Sequence, residues 1–240
     1  MLIIWTILTA GSFVAPSKLP SIVQCAEAFG RLAWDAERGE SLLLEATQWS
    51  LLRVLVAGVL VVMIGVPIGV LMGASPRINA FLSPLVDPLR SAPVVAILPI
   101  LVMWLGIGEA MKIAFLFIGA VVFLVPMVRD AMLAVSQQYW IAARDLGATP
   151  WEAVRHAVYP MAKPRIMDAI IVSISVMWTY ITVAEYVNAD RGLGQLISIA
   201  RRQSAMDKVF VGIGVIIALA LITYSLMTAI KRRLYPWESE

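Results

Sequence analysis

The sequence predicts an all-α membrane protein with about six transmembrane helices, and two observations lead to this prediction. Hydrophobic residues make up 60% of the 240 residues, and the mean hydropathy is +0.85, whereas a typical soluble domain is about half apolar. Several long segments also carry no charged side chain, which suits helices that cross the hydrocarbon core of a bilayer. A soluble chain of this length has too small a core to bury so much apolar surface.

Five uncharged segments, each bracketed by charged residues, predict membrane-spanning helices: residues 54–76, 91–108, 113–128, 169–184 and 209–230. Because a span needs about 20 apolar residues, two of these are short. We expect Lys112, Arg129 and Asp168 to extend them by reaching toward the membrane interface. Residues 1–17 are apolar and lack the basic start of a secretory signal. We predict that they form a first span or a short anchor, which makes six helices.

Glycines and prolines give two of these segments a special character. Gly65, Gly69 and Gly73 recur at every fourth residue and form a smooth stripe that another helix can approach closely. We expect that helix in the same chain, with a subunit interface as the alternative. Pro67 predicts a local kink. Four further prolines predict an irregular or kinked stretch over residues 82–99, which is tolerated only against protein or a water-filled cavity.

The N-terminal part differs from the rest in its charge content. Residues 18–48 carry many charged side chains, which predicts a water-facing connection with an amphipathic helix around residues 22–34. We therefore divide the chain into an N-terminal membrane segment with a periplasmic connection, residues 1–48, and one transmembrane domain, residues 49–237. The basic cluster at residues 231–233 predicts that the C-terminus is cytoplasmic, by the positive-inside rule.

Charge, cysteine and histidine usage exclude several classes of function. The net charge is +3 and the basic residues are scattered, so nucleic-acid binding is not expected. Cys25 is the only cysteine and His156 the only histidine, which excludes an internal disulfide, a thiol metal cluster and a two-histidine zinc site. No lysine follows a glycine, so the phosphate-binding P-loop is missing. We expect a non-catalytic chain that binds no cofactor or metal itself.

The most informative stretch is a polar, helix-forming island between two apolar segments, residues 136–164. Ser136 is suited to cap a helix over residues 137–146, and Gly147 is suited to end it in the left-handed conformation. Ala142 and Ala143 put small side chains on this helix, which allows another surface to approach closely.

A second helix of the island is predicted to follow at once. Thr149 is its N-cap, Pro150 its first residue and Glu152 the third residue of a capping box. We expect this helix to end shortly before Pro160, with Pro164 reinforcing the break. Such an ordered helical pair either docks onto a partner or only orders the loop, and the residues alone leave both interpretations open.

Candidates for a translocation pathway lie on and just beyond the fourth uncharged segment. Glu185 follows the apolar stretch and is either functional or paired at the membrane surface, with Arg191 as the expected partner. Polar and aromatic side chains of the same helix are the other candidates: Trp178, Thr179, Tyr180 and Thr182. They either line the path or bond to neighbouring helices. Asp87 and Arg90 are three residues apart and are expected to form a structural ion pair.

The island resembles the Glu-Ala-Ala loop of the inner-membrane permease subunits of binding-protein-dependent ABC importers. Ala142, Ala143, Gly147 and Pro160 are in register with that motif, whereas Ile141 stands where the family has glutamate. Three further stretches, residues 51–73, 91–113 and 183–197, are similar to permeases of the nitrate/sulfonate/taurine type. The resemblance extends in order over residues 45–237.

The resemblance implies a type I importer transmembrane domain, present in two copies around a central pathway. It further implies that separate ATPase subunits bind ATP and Mg, and that a periplasmic binding protein delivers a small solute from outside to this pathway in the bacterial inner membrane. The island then carries the ATPase-docking residues: Ala142, Ala143, Gly147, Thr149, Trp151, Glu152 and Pro160. Two alternatives are a proton-coupled secondary transporter that uses Glu185 and Asp168, and a membrane scaffold subunit.

Overall fold

The computed structural model describes Trp5 and residues 18–34, 41–187 and 190–238, and within these ranges it contains helices and no strand. The helices are α1 (Ile22–Ala33), α2 (Leu42–Ala74), α3 (Pro76–Leu89), α4 (Val94–Leu105), α5 (Glu109–Leu133), α6 (Gln137–Asp145), α7 (Pro150–Tyr186), α8 (Leu193–Arg202) and α9 (Met206–Leu234). A short 3₁₀ turn, Pro236–Glu238, follows. Of the predicted N-terminal span only Trp5, which is helical, is described, so that prediction lies otherwise outside the described residues.

Four of the described helices, α2, α5, α7 and α9, are long and apolar enough to cross a membrane. They contain four of the five predicted uncharged segments. The exception is residues 91–108, because α3 and α4 meet at a bend of 90° and only together have the length and apolarity of a span. The described residues therefore contain four candidate spans, or five if the bent pair counts as one.

The prolines break the chain over a shorter stretch than the sequence predicts. Pro84 and Pro88 both lie inside α3, so residues 82–89 are helical rather than irregular. The break is confined to residues 90–93. It lies there because Ala92 precedes Pro93, and a residue before proline is disfavoured in the helical conformation. Pro99 is in the first turn of the following α-helix, where a missing N–H costs no hydrogen bond.

The glycine stripe of α2 packs against α5 of the same chain, as expected. A Cβ atom added at Gly69 would lie 2.6 Å from the Cβ of Val128, and one at Gly73 would lie 2.4 Å from the Cβ of Met132. At these distances the two helix backbones are in contact with no room for a side chain. The other face of α5 packs against α7, so α5 is the central helix of the bundle.

The predicted amphipathic helix of the N-terminal connection is α1, which begins with a capping box between Ser21 and Gln24. It packs against the first turns of α9 and against α2, and Arg31 lies 3.4 Å from Asp207. Residues 35–40 lie outside the described residues. The division at residues 48–49 remains a prediction, and α2 begins before it, at Leu42.

The course of the chain separates two ends of the bundle. The C-terminus of α5 and the N-terminus of α7 are joined through the island, which defines the island end. The N-terminus of α5, the C-terminus of α7 and the start of α9 lie at the opposite end.

Candidate functional site

The first helix of the island is fixed by local hydrogen bonds at both ends. The Ser136 hydroxyl accepts a bond from the N–H of Gln138, and α6 ends at Asp145, one residue earlier than predicted. Gly147 has φ +84°, and beyond it the N–H of Ala148 donates to the carbonyl of Ala143 at 3.1 Å. This left-handed glycine and its closing bond stop α6 as the sequence predicts.

The start of α7 carries the predicted capping box. The N–H of Thr149 donates to Glu152 Oε2 at 2.8 Å, and the N–H of Glu152 donates to Thr149 Oγ1 at 3.4 Å. The Thr149 hydroxyl also donates to the same carboxylate at 2.7 Å, and Pro150 occupies the first turn. These bonds order an exposed helix start without help from the core.

The prediction that this helix ends near Pro160 is wrong. The helix continues through Pro160 and Pro164 to Tyr186 and is 37 residues long. Residues Val154–Val158 form a π turn, in which the N–H of Tyr159 donates to the carbonyl of Val154. The wider turn shifts the hydrogen-bond register just before Pro160, which has no N–H to donate. Pro164 is buried, so packing against the core compensates for its missing bond.

The outward surface of the island exposes several apolar side chains. Leu146 is 89% exposed, Trp151 is 57% exposed and Ile141 is 56% exposed. Gly147 lies beside them, and a Cβ atom placed on it would meet no atom of the described chain within 4 Å. Exposed apolar side chains on an ordered and otherwise polar surface are typical of a site for another protein.

The inward surface of the island belongs to the core of the bundle. Val154, Val158 and Ala162 are buried in the main hydrophobic cluster, against which Trp140 also packs. The guanidinium of Arg165 donates to the carbonyl of Ala134 at 3.4 Å. The island is therefore anchored in the core of the bundle and is continuous with α7.

A group of charges, buried except for the partly exposed Glu109, lies at the opposite end of the bundle and is centred on Arg53 of α2. Its Nε and Nη2 donate to the two carboxylate oxygens of Glu109, each at 2.6 Å. Its Nη1 donates to Glu185 at 2.6 Å and to the carbonyl of Arg191 at 2.8 Å. The expected pair between Glu185 and Arg191 is therefore wrong, because the Arg191 side chain lies 3.6 Å from Glu45 instead.

The remaining bonds of this group use neutral donors and one lysine. The Ser50 hydroxyl donates to Glu185 at 2.7 Å and accepts from the N–H of Leu193 at 2.9 Å, while the N–H of Gly194 donates to Glu185 at 2.8 Å. Lys112 donates to Glu109 at 3.1 Å. Lys112 is buried there and does not reach toward the interface as expected. We call this set the Arg53 cluster: Ser50, Arg53, Glu109, Lys112, Glu185 and the backbone of residues 191–194.

Glycine is required where the chain passes over the Arg53 cluster. Gly192 has φ +120°, and a Cβ atom on it would lie 2.5 Å from Cδ of Glu185 and 2.6 Å from Nη1 of Arg53. A Cβ atom on Gly194 would lie 2.6 Å from the Cβ of Glu185. The sequence indicated Glu185 but not its partner, because Arg53 served only as the charge that borders a predicted span.

The other pathway candidates of α7 fall into two groups. Trp178 and Tyr180 point into the bundle: Trp178 is buried, and Tyr180 packs edge-on against Phe115 with 5.7 Å between ring centroids. Thr179 is exposed and Thr182 is half-buried. Within the described chain, the two threonines have an open side, Tyr180 is partly exposed, and Trp178 and Glu185 are buried. The role of these residues in a pathway remains a prediction.

The expected pair of Asp87 and Arg90 is not formed. Asp87 accepts from Arg129 at 2.8 Å, while Arg90 lies 3.9 Å from Asp130. Arg129 of α5 bonds to both carboxylate oxygens of Asp87, at 2.8 and 2.9 Å, and so takes the place expected for Arg90. In the part of the chain that the structure describes, no group of three or more His, Cys, Asp or Glu side chains could hold a metal ion.

The described helices thus form a bundle of candidate membrane spans with an ordered, partly apolar island at one end. The chain belongs to the family described as the binding-protein-dependent transport system inner membrane component, whose model matches residues 65–235. It is a permease subunit of an ABC importer, and the alternatives of a proton-coupled carrier and a membrane scaffold are not supported.

Two relatives match almost the whole chain. The taurine transport system permease protein TauC of Escherichia coli (strain K12) is 33% identical over 98% of this chain and 86% of its own length. A Bacillus subtilis (strain 168) protein assigned as the aliphatic sulfonates transport permease SsuC is 28% identical over 98% of this chain and 84% of its own.

A solved structure confirms the fold class. A chain of the MetNI methionine ABC transporter in an inward-facing conformation superimposes with a TM-score of 0.71, at 25% identity, over 80% of this chain and 95% of its own. The predicted type I importer transmembrane domain is therefore confirmed.

Proposed function

We propose that the island docks this permease subunit onto an ATPase subunit and transmits the closure of the ATPases to the membrane helices. The observation that carries the proposal is the outward surface of the island, where Ile141, Leu146 and Trp151 are exposed on a backbone fixed by caps. Burying a large apolar side chain stabilises a complex by about 1.5–3 kcal/mol. The docking set is Ala142, Ala143, Gly147, Thr149, Trp151, Glu152 and Pro160.

The residue at position 141 determines the chemistry of this docking. Ile141 replaces the glutamate that the resemblance leads us to expect, and its side chain is exposed. The contact with the ATPase therefore rests on apolar burial and on the fixed helix ends rather than on a carboxylate at this position. The inward surface of the island, anchored by Val154 and Val158, then moves α5 and α7 together.

The island end is the cytoplasmic side in this proposal. Arg232 and Arg233 are exposed at the end of α9, and Lys231 bonds to Asp168 at 2.7 Å at the same end. Basic residues next to a span favour the cytoplasm. ATP and Mg then bind to the partner subunits, and the opposite end, with the Arg53 cluster, faces the periplasmic binding protein.

Two copies of the chain form the pathway, with the open face of α7 toward the second copy. Thr179 and Thr182 put hydroxyl groups on that face. A helix in a bilayer keeps such groups away from lipid when another protein or a water-filled path is available. The packing of the same helix against the bundle stabilises this face, through Trp178, Tyr180 and Glu185.

The solute that we propose is a small organic sulfonate. The support is the 33% identity to a taurine permease and the 28% identity to an aliphatic sulfonates permease, each over 98% of this chain. Uptake of radiolabelled taurine and methionine into proteoliposomes that hold the assembled importer and its binding protein tests this. Uptake of methionine alone would contradict the proposal.

Site-specific photo-crosslinking tests the docking proposal. A photoreactive phenylalanine analogue is placed at Leu146 in the assembled importer, and a matched control carries it at Leu221, which is 60% exposed on the membrane part of α9. We expect a crosslink to the ATPase subunit from position 146 and none from position 221. Absence of the crosslink at 146, or equal yields at both positions, contradicts docking through the island.

A further inference from the structure

Helix α1 has two apolar surfaces, of which only one is covered by the described chain. The covered stripe contains Ala28 and Leu32, which are buried against the first turns of α9 and against α2. Next to it, Ile22 and Phe29 lie seven residues apart, which is two helical turns, and therefore on one stripe. They are 41% and 49% exposed.

The polar residues of α1 lie on the side away from that open stripe. At 100° per residue, Gln24, Glu27 and Arg31 cluster on the flank opposite Ile22 and Phe29, with the covered stripe between the two groups on one side. All three are exposed. The helix thus offers three distinct surfaces, one to the protein, one apolar and open, and one charged and open.

The length of α1 prevents it from crossing a membrane. Twelve residues span about 18 Å at 1.5 Å per residue, compared with about 30 Å for the hydrocarbon core. Helix α1 therefore cannot reach both membrane surfaces. The contact of Arg31 with Asp207 fixes α1 beside the first turn of α9, at the end opposite the island.

The open stripe of α1 is level with the point where α9 enters the bilayer. Only a few residues beyond Asp207, α9 exposes Ile213, Ile217 and Leu221 to its surroundings. These belong to a candidate span whose outward side is apolar, which is the side that lipid covers. The open stripe of α1 therefore belongs to a helix that adjoins the start of a lipid-facing span.

We propose that α1 is an interfacial helix that lies in the leaflet at the end opposite the island. Ile22 and Phe29 insert among the upper acyl chains, while Glu27 and Arg31 stay at the level of the head groups and water. Trp34, exposed directly after the helix, supplies an indole at the position that such rings favour in a membrane. The occupant of the open stripe is the lipid bilayer, and not the binding protein or a second copy of the chain.

The inference changes the interpretation of the N-terminal connection. The charge content of residues 18–48 predicted a water-facing segment, whereas α1 is bound to the membrane surface along one stripe. Through Arg31 and Asp207 this helix holds the start of α9 at a fixed depth, and through Leu32 it contacts the start of α2.

Electron paramagnetic resonance in vesicles tests the proposal. Cys25 is the only cysteine of the chain, so Cys25→Ser provides a cysteine-free background for labelling. Burial, together with the Asp207 carboxylate, raises the pKa of the native Cys25 thiol. Phe29→Cys is compared with Glu27→Cys, each carrying a nitroxide in the assembled importer within phosphatidylethanolamine and phosphatidylglycerol vesicles. Ile22→Cys is the second test site in case Phe29→Cys does not assemble.

The readout is the relative access of each nitroxide to oxygen, which concentrates in lipid, and to a water-soluble nickel chelate. We expect the labels at 29 and 22 to be relaxed several-fold more by oxygen than by nickel, and the label at 27 to show the reverse. A label at 29 that favours nickel would place the stripe in water. A label at 29 that is protected from both reagents would place it under protein. Either result overturns the proposal.

Discussion

Arg53 and Glu185 form an ion pair that is closed to water, with 2.6 Å between Nη1 and Oε1 and with side chains that are 2% and 0% exposed. They belong to helices α2 and α7, which are 132 residues apart in sequence at these positions. Arg53 also pairs with Glu109 of α5, so one side chain joins three helices at the end opposite the island. The Arg53 cluster makes that end one rigid unit, and it also seats the turn that begins α8.

Removing the charge of Arg53 alone should be strongly destabilising. Arg53→Met leaves Glu185 buried without its cation, and breaking a buried pair typically costs about 3–5 kcal/mol. We expect a clearly lower midpoint of thermal unfolding in detergent. The double variant Arg53→Met/Glu185→Gln should recover part of the loss, because the new amide side chain is neutral and keeps an oxygen for the N–H of Gly194. A double variant no more stable than the single one contradicts this account.

The glycine over the Arg53 cluster is needed for two separate reasons, which two variants distinguish. Gly192→Ala combines an unfavourable φ of +120° with a Cβ atom 2.5 Å from Glu185. Gly106→Ala has an unfavourable φ of +70° and no described atom within 4 Å of its Cβ. Both glycines have ψ near 180°, a conformation that essentially only glycine adopts, and this strain alone costs about 1–3 kcal/mol. We therefore expect Gly192→Ala, which adds the clash, to lower the unfolding midpoint more. Equal losses in the two variants would mean that the turn moves away from Glu185 easily.

The packing of α2 on α5 gives a second matched pair. Gly69→Ala places a Cβ atom 2.6 Å from the Cβ of Val128 and 2.7 Å from the carbonyl of Val125, and the backbone atom cannot give way. Gly58→Ala, in the same helix, meets only Ile174 at 4.0 Å. We expect Gly69→Ala to lower the unfolding midpoint and Gly58→Ala to leave it unchanged or raise it, since alanine favours a helix by about 1 kcal/mol over glycine. Thermal unfolding that ranks the two in the opposite order is incompatible with the observed packing.

Local signals predicted local structure well. The helix caps are as predicted, because they depend on Thr149, Glu152 and Gly147 and on neighbours no more than four residues away. Charge-free length predicted the four long spans for the same reason. Pro160 was wrongly predicted to end a helix, because its missing bond is absorbed by a π turn while the residues after it are buried against the core.

Contacts between residues that are far apart in the sequence could not be predicted from the sequence pattern. Arg53 looked like the end of a span because a charge beside an apolar run usually lies in water, and nothing in its neighbours indicates Glu109 or Glu185. The same limit applied to Lys112, which a carboxylate on the previous helical turn holds inside the protein. The sequence predicted a break near the junction of α3 and α4 but not its exact position. Several prolines spaced along one segment indicate a break without showing at which proline it occurs.

The central claim is that the apolar surface of the island holds the ATPase, and one binding measurement tests it most directly. The affinity of the purified ATPase subunit for the permease in lipid nanodiscs is measured for the unchanged chain, for Leu146→Asp and for the size-matched Leu146→Met. Leu146 is 89% exposed, so neither substitution removes a core contact. Loss of its burial, at about 1.5–3 kcal/mol, together with burial of a new charge should weaken binding at least about tenfold. We expect that loss for Leu146→Asp and near-normal affinity for Leu146→Met, whereas unchanged affinity in Leu146→Asp would contradict docking through the island.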